Sequence, residues 1–124
     1  MIVGIGTDLI EVERIERLAQ KQPKFLKRIF SQNEIEYSFG KKNPYFHLAA
    51  RFAAKEAFFK ALGRRIGWKE ISISNLPSGK PQLNLSSTKA MPFDRMHVSL
   101  THLQSYASAL VILEKDENQD SNHR

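Results

Sequence analysis

The 124-residue chain contains no cysteine. Disulfide staples, thiolate metal sites and cysteine nucleophiles are thereby excluded, and nothing demands an oxidising compartment. Long apolar runs are missing as well: no stretch approaches the roughly 20 residues of a membrane-spanning helix. The opening MIVGIGTDLIEVER lacks a basic lead-in and meets Asp8 before any apolar core of useful length, unlike a secretory signal. These absences point to a cytoplasmic protein with no membrane association. No internal repeat is present, and the four histidines show no spacing that suggests zinc.

What is present reads as one soluble globular domain, 41% hydrophobic and 26% charged, over residues 1–115. The final stretch, residues 116–124, is polar without an apolar anchor and reads as a disordered tail. A formal net charge of +6 favours an anionic partner: phosphates, an acidic protein surface or nucleic acid. Charge alone does not choose among these, or against an ordinary basic surface.

MIVGIG predicts a short buried strand, after which Val12, Ile15, Leu18 and Ala19 recur at helical spacing. Asp8 sits at the junction, where Asp8 and Glu11 fit a capping pattern. Phe25, Leu26, Ile29 and Phe30 mark a short segment after Pro23. Ser31 and Glu34 make a capping box for a helix over QNEIEYSF, closed by Gly40. Pro44 opens the longest helix, running to about Leu62 and stopped by Gly63. Beyond Gly67 the texture changes: WKEISIS, PQLNLS, MHVSLTH and YASALVILEK are short alternating or β-branched segments divided by turn residues. Helices first and strands second, with one strand at the start, predict an α+β fold in which a helical layer packs on an antiparallel sheet.

On the long helix, Glu56 and Lys60 fall one turn apart on a face otherwise made of Ala49, Phe52, Ala53, Phe59 and Gly63. Arg51 and Lys55 occupy a different sector, roughly 100° or more around the axis. An i, i+4 Glu–Lys pair is commonly a surface ion pair contributing a few tenths of a kcal/mol. Burying both charges beside phenylalanines without further partners would cost about several kcal/mol, which a bound metal or phosphate would offset. Mg²⁺ binds through one or two carboxylates plus substrate phosphates, and a nearby lysine neutralises phosphate oxygens. Asp8 could be the second carboxylate if the long helix packs across the first strand; otherwise it is a helix cap.

GIGTDLIEVERI near the start and RFAAKEAFFKALG in the middle together resemble the holo-[acyl-carrier-protein] synthase family, the small phosphopantetheinyl transferases. The resemblance continues through FLKRIFSQNEIEY, Trp68, SGKPQL and VSLTH, covering roughly residues 2 to 113 in the family's order. It implies transfer of the 4′-phosphopantetheine arm of coenzyme A to a serine of apo acyl carrier protein for fatty acid biosynthesis, releasing adenosine 3′,5′-bisphosphate, with Mg²⁺ or Mn²⁺. By motif position, Asp8 and Glu56 would be metal ligands and Lys60 would contact the phosphates. Glu56, directly or through water, is a candidate to receive the serine proton. His102, ending VSLTH, is implied near the coenzyme pocket; on residue type alone it would be a hairpin histidine bonded to backbone. Gly79, Lys80 and Pro81 are implied at the coenzyme's adenosine end, although SGKP is also simply a good turn. Arg64 and Arg65 serve either the helix dipole or ligand phosphates.

Basic residues on the first helix dock the acidic carrier protein in this family, which makes Arg14 a partner-binding candidate, and Arg51 is a second. The family also implies a homotrimer with active sites between subunits, Asp8 and Glu56 from one chain and His102 from the next. The main rival is a basic nucleic-acid-binding module, which would interleave aromatic and basic residues on strands. The strand half holds only Trp68, Phe93 and Tyr106, which argues against a nucleic-acid partner. An inactive scaffold is the other alternative, and intact Asp8, Glu56 and Lys60 argue against it.

Overall fold

Two glycines on the first strand set the architecture. A Cβ placed on Gly4 would lie 2.1 Å from the Ala61 carbonyl oxygen, and one on Gly6 would lie 2.1 Å from that of Ala57. The long helix therefore rests backbone to backbone on the strand, an approach only glycine permits. The computed structural model describes residues 1–117. In order the elements are β1 (Ile2–Glu11), α1 (Val12–Lys21), α2 (Phe25–Ile29), α3 (Gln32–Phe39), α4 (Pro44–Leu62), β2 (Ile71–Asn75), β3 (Pro81–Leu85), β4 (Arg95–His102) and β5 (Tyr106–Glu114).

The expected α+β class is observed, with the strands divided between two antiparallel sheets. One has the order β1-β5-β4 and the other pairs β2 with β3. Along β5, Ala107, Ala109, Val111 and Leu113 alternate inward onto α4 while their neighbours face away. The opposite face of the three-stranded sheet is apolar but open: Ile5 is 62% exposed and Leu9 65%. The expectation of a buried first strand is thus corrected, because only one of its faces is covered among the described residues. No described helix is long and apolar enough to cross a membrane.

β1 also runs further than expected. Asp8 pairs in register with Ala109, and α1 begins only at Val12, after a cap at Glu11 that makes no side-chain capping bond. Asp8 is therefore a strand residue and caps nothing. The reason is long-range: pairing with β5 satisfies the backbone through Glu11, so the local capping pattern has no donors left to bind.

The capping box of α3 is present as read, with Ser31 Oγ accepting from Glu34 N and Glu34 Oε1 accepting from Ser31 N. α4 runs from Pro44 to Leu62 and ends on Gly63 in the left-handed conformation, φ 83°. What the pattern did not disclose is that α4 is enclosed nearly all round. Lys55 is 0% exposed and Arg51 2%. Lys55 Nζ spends its three donors on Glu34 Oε1 (2.8 Å), the Ile29 carbonyl (2.8 Å) and the Trp68 carbonyl (2.9 Å). Glu34 Oε2 accepts from Ile73 N at 2.8 Å, so one buried ion pair ties α2, α3, α4 and β2 together. Burial pushes the Lys55 ammonium below its ordinary range and Glu34 opposes that shift.

Of the segment read as a tail, Asp116 is held to β4 and its approach. Its N–H donates to Asp94 Oδ2 and its carboxylate meets Arg95 at 2.9 Å. Residues 118–124 lie outside the described residues.

Candidate active site

Because α4 sits on Gly4 at Ala61 and on Gly6 at Ala57, the next residue pointing the same way along β1, Asp8, comes further back along the helix, toward its middle. Lys60 reaches back over it: Nζ donates to Asp8 Oδ1 at 3.2 Å and to the Thr7 carbonyl at 3.0 Å. Glu56, one turn earlier, pairs elsewhere, accepting from Arg65 Nη2 at 3.3 and 3.2 Å through its two oxygens. The reading of Glu56 and Lys60 as a pair with each other is thus corrected. Each belongs to a different ion pair, and the two pairs lie side by side.

Asp8 and Glu56 are half-buried, whereas Lys60 is 56% exposed. The charges on α4 that are buried are Arg51 and Lys55, the sector opposite to the one the sequence singled out. Beside the pairs is an open depression of about 350 Å³ lined by Glu56, Phe59, Lys60, Gly63, Arg64 and Arg65. Its aromatic wall is braced by Trp68, whose ring stacks on Phe52 at 5.3 Å and meets Phe59 edge-on at 5.2 Å. Arg65 lies over both Phe59 and Trp68. Sequence reading left Arg65 between the helix dipole and a ligand. The positive-φ Gly63 turns the chain back so that Arg65 meets Glu56 at the rim of the depression.

The donor chemistry suits a hard divalent cation that brings other ligands with it. The chain offers Asp8 and Glu56, and no group of three or more His, Asp or Glu side chains gathers among the described residues. Two carboxylates fit Mg²⁺ completed by substrate phosphate and water, and do not fit a closed protein cage. Three cations, Lys60, Arg64 and Arg65, edge the same depression and suit an anionic ligand.

The other predicted residues lie apart from this depression within one chain. His102 is exposed at the end of β4, its ring 5.7 Å from Phe46 and 6.1 Å from His47. Burial, with Arg51, His102 and Lys41 nearby, holds His47 below its ordinary value. Gly79 (φ 91°) and Lys80 lie in the turn between β2 and β3, closed by Leu76 N to the Lys80 carbonyl and Gly79 N to the Leu76 carbonyl, and Pro81 opens β3. Arg14 is exposed on α1, free to meet a partner. Arg51 is not, which corrects its reading as a docking residue. Its Nη2 donates to Asn75 Oδ1 at 2.5 Å, and its guanidinium covers the Tyr37 ring at 4.2 Å.

The sequence model of the 4′-phosphopantetheinyl transferase superfamily matches residues 4–111. The holo-[acyl-carrier-protein] synthase of Syntrophus aciditrophicus is 44% identical over 124 residues, covering 92% of this chain and 97% of its own. Among solved structures, the holo-(acyl-carrier-protein) synthase of Bacillus anthracis in complex with CoA (3′,5′-ADP) has a TM-score of 0.79 at 38% identity, over 94% of this chain and 99% of that one. The Helicobacter pylori holo-[acyl-carrier-protein] synthase in complex with coenzyme A gives 0.79 at 32%, over 89% and 99%.

Proposed function

From the premise that this chain belongs to the 4′-phosphopantetheinyl transferase superfamily, we propose that Asp8, Glu56 and Lys60 carry its reaction. The enzyme transfers the 4′-phosphopantetheine moiety of coenzyme A to a serine of apo acyl carrier protein, giving the holo protein and adenosine 3′,5′-bisphosphate. The serine oxygen bonds to the phosphorus nearer the pantetheine, and the bond from that phosphorus to the bridging pyrophosphate oxygen breaks. Such a transfer depends on positioning and on stabilising charge at the phosphoryl oxygens.

The observation that supports this assignment is the crossing of α4 over β1, which sets Lys60 on Asp8, while Glu56, one turn earlier on the same helix, lines with Lys60 a depression edged with cations. Lys60, exposed and tied to Asp8 by a single contact, can exchange that contact for a phosphate oxygen. Arg65, paired with Glu56, offers a planar donor set to the same end of the ligand. Mg²⁺, or Mn²⁺, held by Asp8 and Glu56 would supply positive charge to the pyrophosphate when bound. Glu56 is also our assignment for receiving the serine proton.

Gly79, Lys80, Pro81 and His102 complete the coenzyme site in this reading, with His102 supplied by a neighbouring copy. Two features support a trimer with shared sites. These residues lie away from the depression in their own chain, and the uncovered sheet face around Ile5 and Leu9 offers copies an apolar contact. Arg14 is the docking cation for an acidic carrier protein. Fatty acid synthesis in the cytoplasm is the setting, and the lack of cysteine suits a reducing compartment.

The test is intact mass spectrometry of apo acyl carrier protein incubated with the enzyme, coenzyme A and Mg²⁺, beside a chelated control. A metal-dependent gain of one phosphopantetheine is expected. No gain with several carrier proteins would return the chain to an inactive scaffold.

A further inference from the structure

The buried Arg51 has a task that neither a docking role nor core packing accounts for. Its guanidinium is fixed on one side by the Tyr37 ring and the His47 carbonyl, and on the other by Asn75 Oδ1. Asn75 is the last residue of β2. Its amide group is thereby oriented, oxygen toward Arg51 and nitrogen away, and the nitrogen donates to the Gly79 carbonyl at 2.9 Å. The carbonyl it holds belongs to the residue in the left-handed conformation that immediately precedes Lys80.

We infer that Asn75 is a positioning residue for coenzyme A: locked by Arg51, it sets the conformation of the Ser78–Pro81 turn and hence where Lys80 presents its charge. The geometry favours this over simple turn closure. The turn already has two backbone hydrogen bonds of its own, Leu76 N to Lys80 O and Gly79 N to Leu76 O. The Asn75 contact adds a link from the turn to a buried charge on α4, one turn of helix before Lys55 and less than two before Glu56. The turn is thus referenced to the same helix that carries Glu56 and Lys60. A ligand that meets the turn then finds Lys80 already placed, which lowers the ordering cost of binding.

This inference rests on the reading that Lys80 and its turn bind the coenzyme, so the experiment carries a separate arm for that reading. Steady-state kinetics would be measured for N75A and for K80A against both substrates, with amide hydrogen exchange across the turn. N75A is expected to raise KM for coenzyme A about 5-fold, the effect of one lost hydrogen bond, with kcat and the carrier-protein KM within about twofold. The amides of Leu76 and Gly79 should exchange faster. If removal of the Arg51 acceptor keeps N75A from folding, N75D retains an acceptor for Arg51 and lacks the donor to Gly79. It should show the same KM shift at high salt, where its added charge is screened. A normal coenzyme KM in N75A or N75D beside a raised one in K80A would overturn the positioning role and leave the turn's role standing. A normal KM in K80A would overturn both.

Discussion

Lys60 Nζ lies 3.2 Å from Asp8 Oδ1 across 52 residues of sequence, and this contact joins two of the candidate site residues. It joins the one carboxylate on β1 that faces α4 to the only lysine in the last turn of that helix. With its lysine exposed, the pair contributes little to folding, and Lys60 can leave Asp8 for a ligand.

Lys60→Ala should therefore separate function from stability. Turnover should fall about 100-fold or more, as when a donor to a developing charge is removed. The melting temperature should move by no more than about 5 °C, since an exposed pair is worth about 1 kcal/mol at most. Retained turnover with a large fall in melting temperature would make the pair structural.

Gly6→Ala changes no functional group, yet its new methyl would meet the Ala57 carbonyl. It should cost about 1–3 kcal/mol in urea unfolding by lifting α4 from β1. Turnover should fall with it because Asp8 loses its register with Glu56 and Lys60. Unchanged stability and turnover would show slack at this crossing.

Glu34 and Lys55 form a buried pair in which each satisfies the other. Glu34→Ala should destabilise by about 3–5 kcal/mol by leaving Lys55 charged and unpaired. In a double-mutant cycle with Glu34→Gln and Lys55→Met, the double variant should lose at least about 1 kcal/mol less than the sum of the singles. Additive losses would mean that the two side chains act independently.

His47 gives a pH dependence of defined sign. Burial and the cations around it hold its folded-state pKa below the ordinary 6.5. As pH falls below about 6.5 the unfolded chain takes up this proton before the folded one, so stability declines down through the folded-state value. Above that window His47 contributes no slope. Urea unfolding of His47→Gln between pH 5 and 8 should show a shallower acid decline than the parent. Equal slopes would assign the decline to other groups.

These predictions draw unequally on sequence and on structure. The capping box of Ser31 and Glu34, the bounds Pro44 and Gly63 of α4 and all five strands, the first read too short at its end, were legible because local backbone chemistry fixes them. Asp8, Glu56 and Lys60 were legible as residues through the two motifs that carry them. Their pairing was not, because i, i+4 proximity on a helix is only one of the contacts a side chain can choose.

By itself, then, the sequence determined the α+β order of elements, the ends of α3 and α4, and the residue types of the candidate site. Tertiary structure alone decided that Asp8 belongs to a strand, that Lys60 reaches Asp8 while Glu56 takes Arg65, and that Arg51 and Lys55 are the buried charges. The physical reason is common to all three. α4 is covered on nearly every side, by β1, by β5 and by the α3–β2 layer, so no apolar stripe marks an inside face. Which charges end up buried is then set by the partners that other segments bring: Glu34 and the carbonyls of Ile29 and Trp68 for Lys55, Asn75 and Tyr37 for Arg51.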